Sequence, residues 1–231
     1  MKIGIIGLGL IGGSFAISAK KYIKDCICYG EDISKKHLNK ALDLNLIDEI
    51  LSNDKYSLMD VIILAVPVDI ASSNIISLLD KLNENALIID VGSIKKNICQ
   101  KVFLHPRRNQ FLATHPIAGT EYSGPEAAFE RLFYDQNQII CESNKTRPDL
   151  LEWALNWFSQ MSMKVLEMSP EEHDEHIAYV SHLSHISSFM LGKTVIEKEK
   201  DEKAIFDMAG SGFASTVRLA KSSPDMWAPI L

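Results

Sequence analysis

The chain has 231 residues, 46% hydrophobic and 23% charged, enough apolar surface for one large core or two modest ones and too much for a disordered chain. Its 24 basic against 30 acidic residues leave a formal charge of −6, which excludes a general attraction to nucleic acid and requires any anionic ligand to be held by local cations. Cys26, Cys28, Cys99 and Cys141 lack metal-ligand spacing, and no run beyond the N-terminus is long enough for a bilayer, so the expectation is a reduced, cytoplasmic protein with no membrane partner.

The opening MKIGIIGLGLIGGSF places a lysine before an apolar run, as a secretory leader does, but its glycines and the lack of a small-residue cleavage pattern argue against that reading. Residues 2–6 form a β-branched run that stops at Gly7, and helical spacing resumes near Gly13 with Ser14, Phe15, Ala16, Ile17 and Ala19. A strand at 26–32, a helix over 34–45, an apolar strand at 60–68, a helix over 70–82 and a strand over 86–93 follow. FLATH (111–115) and QIICES (138–143) predict two further strands, and a helix from about Leu150 leads to a last strand, KVLEM. Strands apolar on both faces, alternating with helices, imply an α/β fold of Rossmann type, a parallel sheet covered on each side.

Past residue 168 the β signals cease. Ser169-Pro170-Glu171-Glu172 announces a helix: serine caps free amides, proline suits the first turn and Glu172 completes a capping box. The expected organisation is therefore a dinucleotide-binding domain, 1–168, and an all-helical domain, 169–231. The helix is expected to run through 178–196 into the charged stretch 197–203, read as a solvated helix end, and after 209–212 another helix carries Arg218. Ser223-Pro224-Asp225 reads as a fresh helix start with too few residues after it, so the natural protein is expected to continue past Leu231.

Gly7-Leu8-Gly9-Leu10-Ile11-Gly12 matches G-x-G-x-x-G between a strand and a helix, the context that gives this pattern its force. Gly7 allows the tight turn, Gly9 lets backbone approach a pyrophosphate, Gly12 permits close helix packing, and the helix N-terminus offers amides to the anion. Asp32, about twenty residues on, is placed to accept hydrogen bonds from an adenosine ribose, favouring NAD over NADP. Glu31 could take that role instead, Lys35 or Lys36 could accommodate a 2′-phosphate, and flavin is the competing cofactor. Ligands of such sheets cross the carboxyl ends of the strands, which singles out Val66, Pro67, Ser93 and His115.

Taken in order, GLGLIGGS, AVPV, DVGSIK, HPIAGTEYSG, SHLSH and TVRLAKSSPDMW closely resemble the prephenate dehydrogenases and related arogenate dehydrogenases over nearly the whole chain. The resemblance implies an NAD-linked oxidative decarboxylation of prephenate to 4-hydroxyphenylpyruvate in tyrosine biosynthesis. It puts the catalytic histidine on His115, drawing a proton from the ring hydroxyl as hydride leaves the same carbon, with Ser93 as the second hydroxyl partner. It assigns a substrate carboxylate to Arg218, substrate contacts to the segment bearing His182 and His185, the substrate mouth to Thr120 and Glu121, and the active-site rim to Trp227. A homodimer formed through the helical domain, with the active site between the domains, completes the expectation.

The residues support parts of this by themselves. Histidine is the side chain poised near neutral pKa for taking a proton from a carbinol, although one capping the Pro116 turn would look the same in sequence. A guanidinium can grip a carboxylate through two parallel hydrogen bonds. At about 100° per residue Tyr179, Leu183, Ile186 and Met190 form one stripe, read as the core face, with His182, His185 and Phe189 on a neighbouring stripe flanking it. His173/His176 and His182/His185 are both spaced by three but share no face and lack a carboxylate partner, so no metal is expected. Ser184 stands where the family pattern has proline, which predicts a straighter helix and leaves open which histidine makes contact. The competing functions are the same chemistry on arogenate, a β-hydroxyacid dehydrogenase using Lys193, and an NAD-sensing module without turnover.

Overall fold

Side chains buried on both faces of the central strands are what the fold is built around. The computed structural model describes residues 1–200, 204–221, 227, 228 and 230. Among the described residues there are eight strands: β1 (Lys2–Ile6), β2 (Ile27–Glu31), β3 (Glu49–Ile50), β4 (Val61–Leu64), β5 (Leu87–Asp90), β6 (Phe111–Pro116), β7 (Asn137–Cys141) and β8 (Lys164–Met168). They form one sheet in the order β3-β2-β1-β4-β5-β6-β7-β8, parallel throughout except where β7 runs antiparallel to β6. The order reverses between β1 and β4, which opens a crevice at the carboxyl edge there.

The helices are α1 (Leu10–Tyr22), α2 (Lys35–Asp43), α3 (Val68–Lys81), α4 (Lys96–Val102), α5 (Pro148–Gln160), α6 (Pro170–Ile177), α7 (Leu183–Glu199) and α8 (Ser211–Val217). On one sheet face Ile3, Ile5, Ile63, Ile89, Leu112 and Ile140 pack with Phe15 of α1 and with Trp157 and Phe158 of α5. On the other, Ile62, Leu64, Ile88, Phe111 and Ile139 pack with Ile75 and Leu79 of α3 and with Ile98 and Val102 of α4. Phe15 anchors the first face, its ring 4.4 Å from that of Phe133 and 5.5 Å from that of Trp157. Each such buried side chain contributes about 1.5–3 kcal/mol, so α1 is held firmly where its N-terminus meets the crevice.

Two compact units result, Met1–His173 and Asp174–Leu231. In the first, the apolar run at 60–68 ends as strand at Leu64, because Pro67, which has no N–H for a ladder, caps α3 instead. The two-residue β3, the 3-10 turn at Asn53–Leu58 and the seven-residue α4 are too short to show a period and are absent from the sequence reading. Ser169 does cap α6, its Oγ accepting from Glu172 N–H at 3.1 Å.

In the second unit a widened π turn, Ala178–His182, precedes α7, which runs unbroken through Ser184. The stripe assignments also reverse. Tyr179, Leu183, Ile186 and Met190 are exposed, between 41% and 68%, whereas His182 is buried. The expected charged run to 203 and the expected helix start at 223–225 fall partly and wholly outside the described residues. Among the described residues no helix is long and apolar enough to cross a membrane.

Candidate active site

Sterics shape the loop between β1 and α1. Gly7 has φ +95°, and a Cβ there would lie 2.3 Å from the Ala65 carbonyl oxygen; at Gly12 a Cβ would lie 1.9 Å from the carbonyl oxygen of Gly7. Both positions demand glycine for the turn to close. Gly9 differs, since a Cβ there meets none of the described atoms within 4 Å, the open space a pyrophosphate needs. Gly9 also precedes Leu10 at the start of α1, whose first turn carries no acidic residue, leaving amides for an anion. These features fit a dinucleotide phosphate.

Asp32 follows β2 and is tied into the same loop: Oδ2 accepts from Leu8 N–H and Oδ1 from Ser34 N–H, each at 2.8 Å. Its side chain is 10% exposed, and it braces the glycine loop. Glu31 accepts from the Tyr56 hydroxyl, and burial followed by that carboxylate pushes the phenol pKa up. Glu31, Asp32, Asn53, Tyr56 and Lys81 line a cavity of about 400 Å³ at this edge. Val66, between β4 and α3, lies against Gly7, and Pro67 follows at the helix cap.

Ser93 and His115 stand on neighbouring strands. β5 and β6 pair with Asp90 opposite Ala113, so the loop carrying Ser93 and the end of β6 carrying His115 emerge at one carboxyl edge. A buried staple joins them. Lys95, fully buried, pairs with Asp90 and donates from Nζ to the Thr114 carbonyl at 2.7 Å. Thr114 Oγ1 donates to the Asp90 carbonyl at 2.8 Å, and Gly92 N–H reaches Asp90 Oδ1 at 3.1 Å. Sequence reasoning gave Lys95 no role; its only signal was a lysine five places beyond an acidic residue that ends an apolar strand.

His115 is half-buried, and its Nδ1 lies 2.9 Å from Nε2 of His173, the rings meeting edge to face at 72°. His173 is 2% exposed. Thr120 and Glu121 lie in the exposed loop after β6, where Thr120 Oγ1 accepts from Tyr122 N–H at 3.2 Å, a turn contact.

In the second unit, His185 stacks on Trp227 with ring centroids 3.6 Å apart, and His182 and Phe189 meet the same indole edge-on. His182 and His185 thus share one aromatic cluster with Trp227. Arg218 is exposed, where the 3-10 turn Arg218–Lys221 follows α8. Among the described residues no three histidine, cysteine or acidic side chains converge as a metal-binding group.

Comparison with known proteins gives two family matches: prephenate dehydrogenase, nucleotide-binding domain, over residues 15–167, and prephenate dehydrogenase, dimerization domain, over 169–231. The chain is 34% identical to a prephenate dehydrogenase of Bacillus subtilis, aligning over 98% of itself and 62% of that protein. It is 30% identical to a cyclohexadienyl dehydrogenase of Zymomonas mobilis, over 99% of itself and 79% of the relative. Among solved structures, prephenate dehydrogenase from A. aeolicus in complex with hydroxyphenyl propionate and NAD+ superposes with a TM-score of 0.88 at 32% identity, covering all of this chain and 81% of the other.

Proposed function

Given that the chain belongs to the prephenate dehydrogenase family, we propose that it catalyses the NAD-dependent oxidative decarboxylation of prephenate, with residues 1–168 as the cofactor domain and 169–231 as the helical domain. NAD, when bound, supplies the hydride acceptor. Gly7, Leu8, Gly9, Leu10, Ile11 and Gly12 cradle its pyrophosphate, Asp32 takes its ribose, and Val66 and Pro67 flank it. The observation that carries this reading is His115 at the carboxyl edge of β6, beside the Ser93 loop and stapled to it through Lys95, Asp90 and Thr114.

In this reading His115 Nε2 takes the proton of the ring C4 hydroxyl while C4 gives up hydride, leaving a dienone. The bond from C1 to its carboxylate then breaks, carbon dioxide departs, and the electron pair aromatises the ring to a phenolate, which takes back the proton held by His115 to give the phenol. Ser93 orients the hydroxyl. Arg218 holds a substrate carboxylate by paired hydrogen bonds, His182 and His185 contribute substrate contacts, and Thr120 and Glu121 shape the mouth. The protein works as a cytoplasmic homodimer, pairing through the helical domain, where Leu183, Ile186 and Met190 leave an apolar stripe uncovered.

The test is NADH formation from prephenate and NAD, run beside arogenate and NADP. His115→Asn is expected to keep cofactor affinity and lose about 10²-fold or more in kcat. Unchanged turnover in that variant removes the mechanism, and a tenfold higher kcat/KM on arogenate reassigns the substrate.

A further inference from the structure

We infer that His173 is the positioning residue of the catalytic base: its neutral Nε2 accepts the Nδ1 proton of His115, fixing the tautomer that leaves His115 Nε2 basic. The inference rests on His115 being the base. Its physical ground is the 2.9 Å separation of two ring nitrogens, one of which must donate and the other accept.

The fold delivers His173 to this spot for reasons of strand alternation. In β6, His115 shares a face with Ala113 and pairs with Ile139, both members of the core beneath α3 and α4. Met168, closing β8, packs into that same core, and Ser169 then turns the chain into α6. The first helical hydrogen bond of α6 is His173 N–H to the Ser169 carbonyl at 2.9 Å. His173 therefore reaches His115 from the first turn of a helix, on the sheet face where the His115 ring emerges.

The role of His115 decides which nitrogen donates. A base that takes a proton on Nε2 carries its own ring proton on Nδ1, so the contact makes His173 Nε2, in a side chain 2% exposed, the acceptor. The charged groups of the surrounding elements include Lys95 and Asp90 from β5 and its loop, and Glu171, Glu172, Asp174 and Glu175 along α6. Lys95 and Asp90 offset one another, and the three glutamates are exposed and screened by solvent. When His115 takes the substrate proton, the imidazolium it becomes is held by a charge-assisted N–H···N bond, and a second proton on the pair is opposed by the first.

The experiment compares His173→Phe, which fills the volume without an acceptor, with His173→Gln, whose carboxamide oxygen reaches roughly where Nε2 stood. His173→Phe should lower kcat about tenfold or more, leave NADH affinity unchanged, and move the acid limb of the kcat profile about one unit lower, because the imidazolium has lost its acceptor. His173→Gln should restore much of both. Should His173→Phe fail to fold, nitrogen NMR of the wild-type ring gives an independent reading: His115 protonated on Nδ1 above its pKa supports the pair, and protonation on Nε2 overturns it. If His115→Asn is inactive while both His173 variants keep the wild-type profile and kcat, the pairing is wrong and the function stands. Full activity in His115→Asn would instead remove the base itself.

Discussion

Replacing Gly9 and Gly12 by alanine, one at a time, separates the space a ligand needs from the space the fold needs. At Gly12 the new methyl would sit 1.9 Å from the Gly7 carbonyl oxygen, where real Cβ contacts stay beyond 3.0 Å, so the turn must open by about 1 Å against a fully buried α1 face. Overpacking of that kind costs about 1–3 kcal/mol, of which better helix propensity returns at most about 1 kcal/mol. The expected fall in melting temperature is roughly 2–10 °C. At Gly9 the methyl meets none of the described atoms within 4 Å, so the fold should lose no more than the weak capping preference, under about 1 kcal/mol. Yet it would fill the approach to the pyrophosphate, and NAD affinity should drop by about tenfold or more, equivalent to about 1.4 kcal/mol. Calorimetric melting and NADH fluorescence titration on both variants read the two effects apart. A Gly9→Ala protein that binds NADH as the wild type does would refute the placement of the phosphate over that glycine.

Arg218→Ala should raise KM for prephenate about 10–100-fold with KM for NAD unchanged, and normal saturation by prephenate would take Arg218 out of the site. Lys95→Met leaves the Asp90 carboxylate buried and unpaired, so denaturant unfolding should show a loss of about 3–5 kcal/mol, with Lys95→Met/Asp90→Asn recovering part of it; a loss under about 1 kcal/mol would mean the staple is dispensable. Glu142 carries a pH signature: burial pushes its carboxyl up, but hydrogen bonds from Lys145 and Arg108 outweigh that and hold it below the usual 4.5. A depressed carboxyl stabilises above its unfolded pKa and loses that contribution as pH falls through the folded value. The difference in urea midpoint between wild type and Glu142→Gln should therefore be largest near neutrality and shrink on acidification below 4.5, and a pH-independent difference would contradict the ion pair.

The sequence by itself determined the glycine cradle, the alternation of strands and helices, and the cap at Ser169, because each depends on sterics or hydrogen bonds within a few residues. Gly7 and Gly12 are legible for that reason: only glycine survives a turn in which backbone meets backbone. Even His115 stood out locally, between an apolar strand and a Pro-Ile-Ala-Gly turn. Tertiary structure alone decided what surrounds it. His173 lies 58 residues further along, and no local pattern says that β8 and α6 bring it to a 2.9 Å contact. Lys95 looks like a surface lysine until the β5–β6 pairing buries it against Asp90. The stripe of Tyr179, Leu183, Ile186 and Met190 has the period of a buried face and is exposed, since periodicity reports that a helix has an apolar side and the packing of other elements determines whether anything covers it.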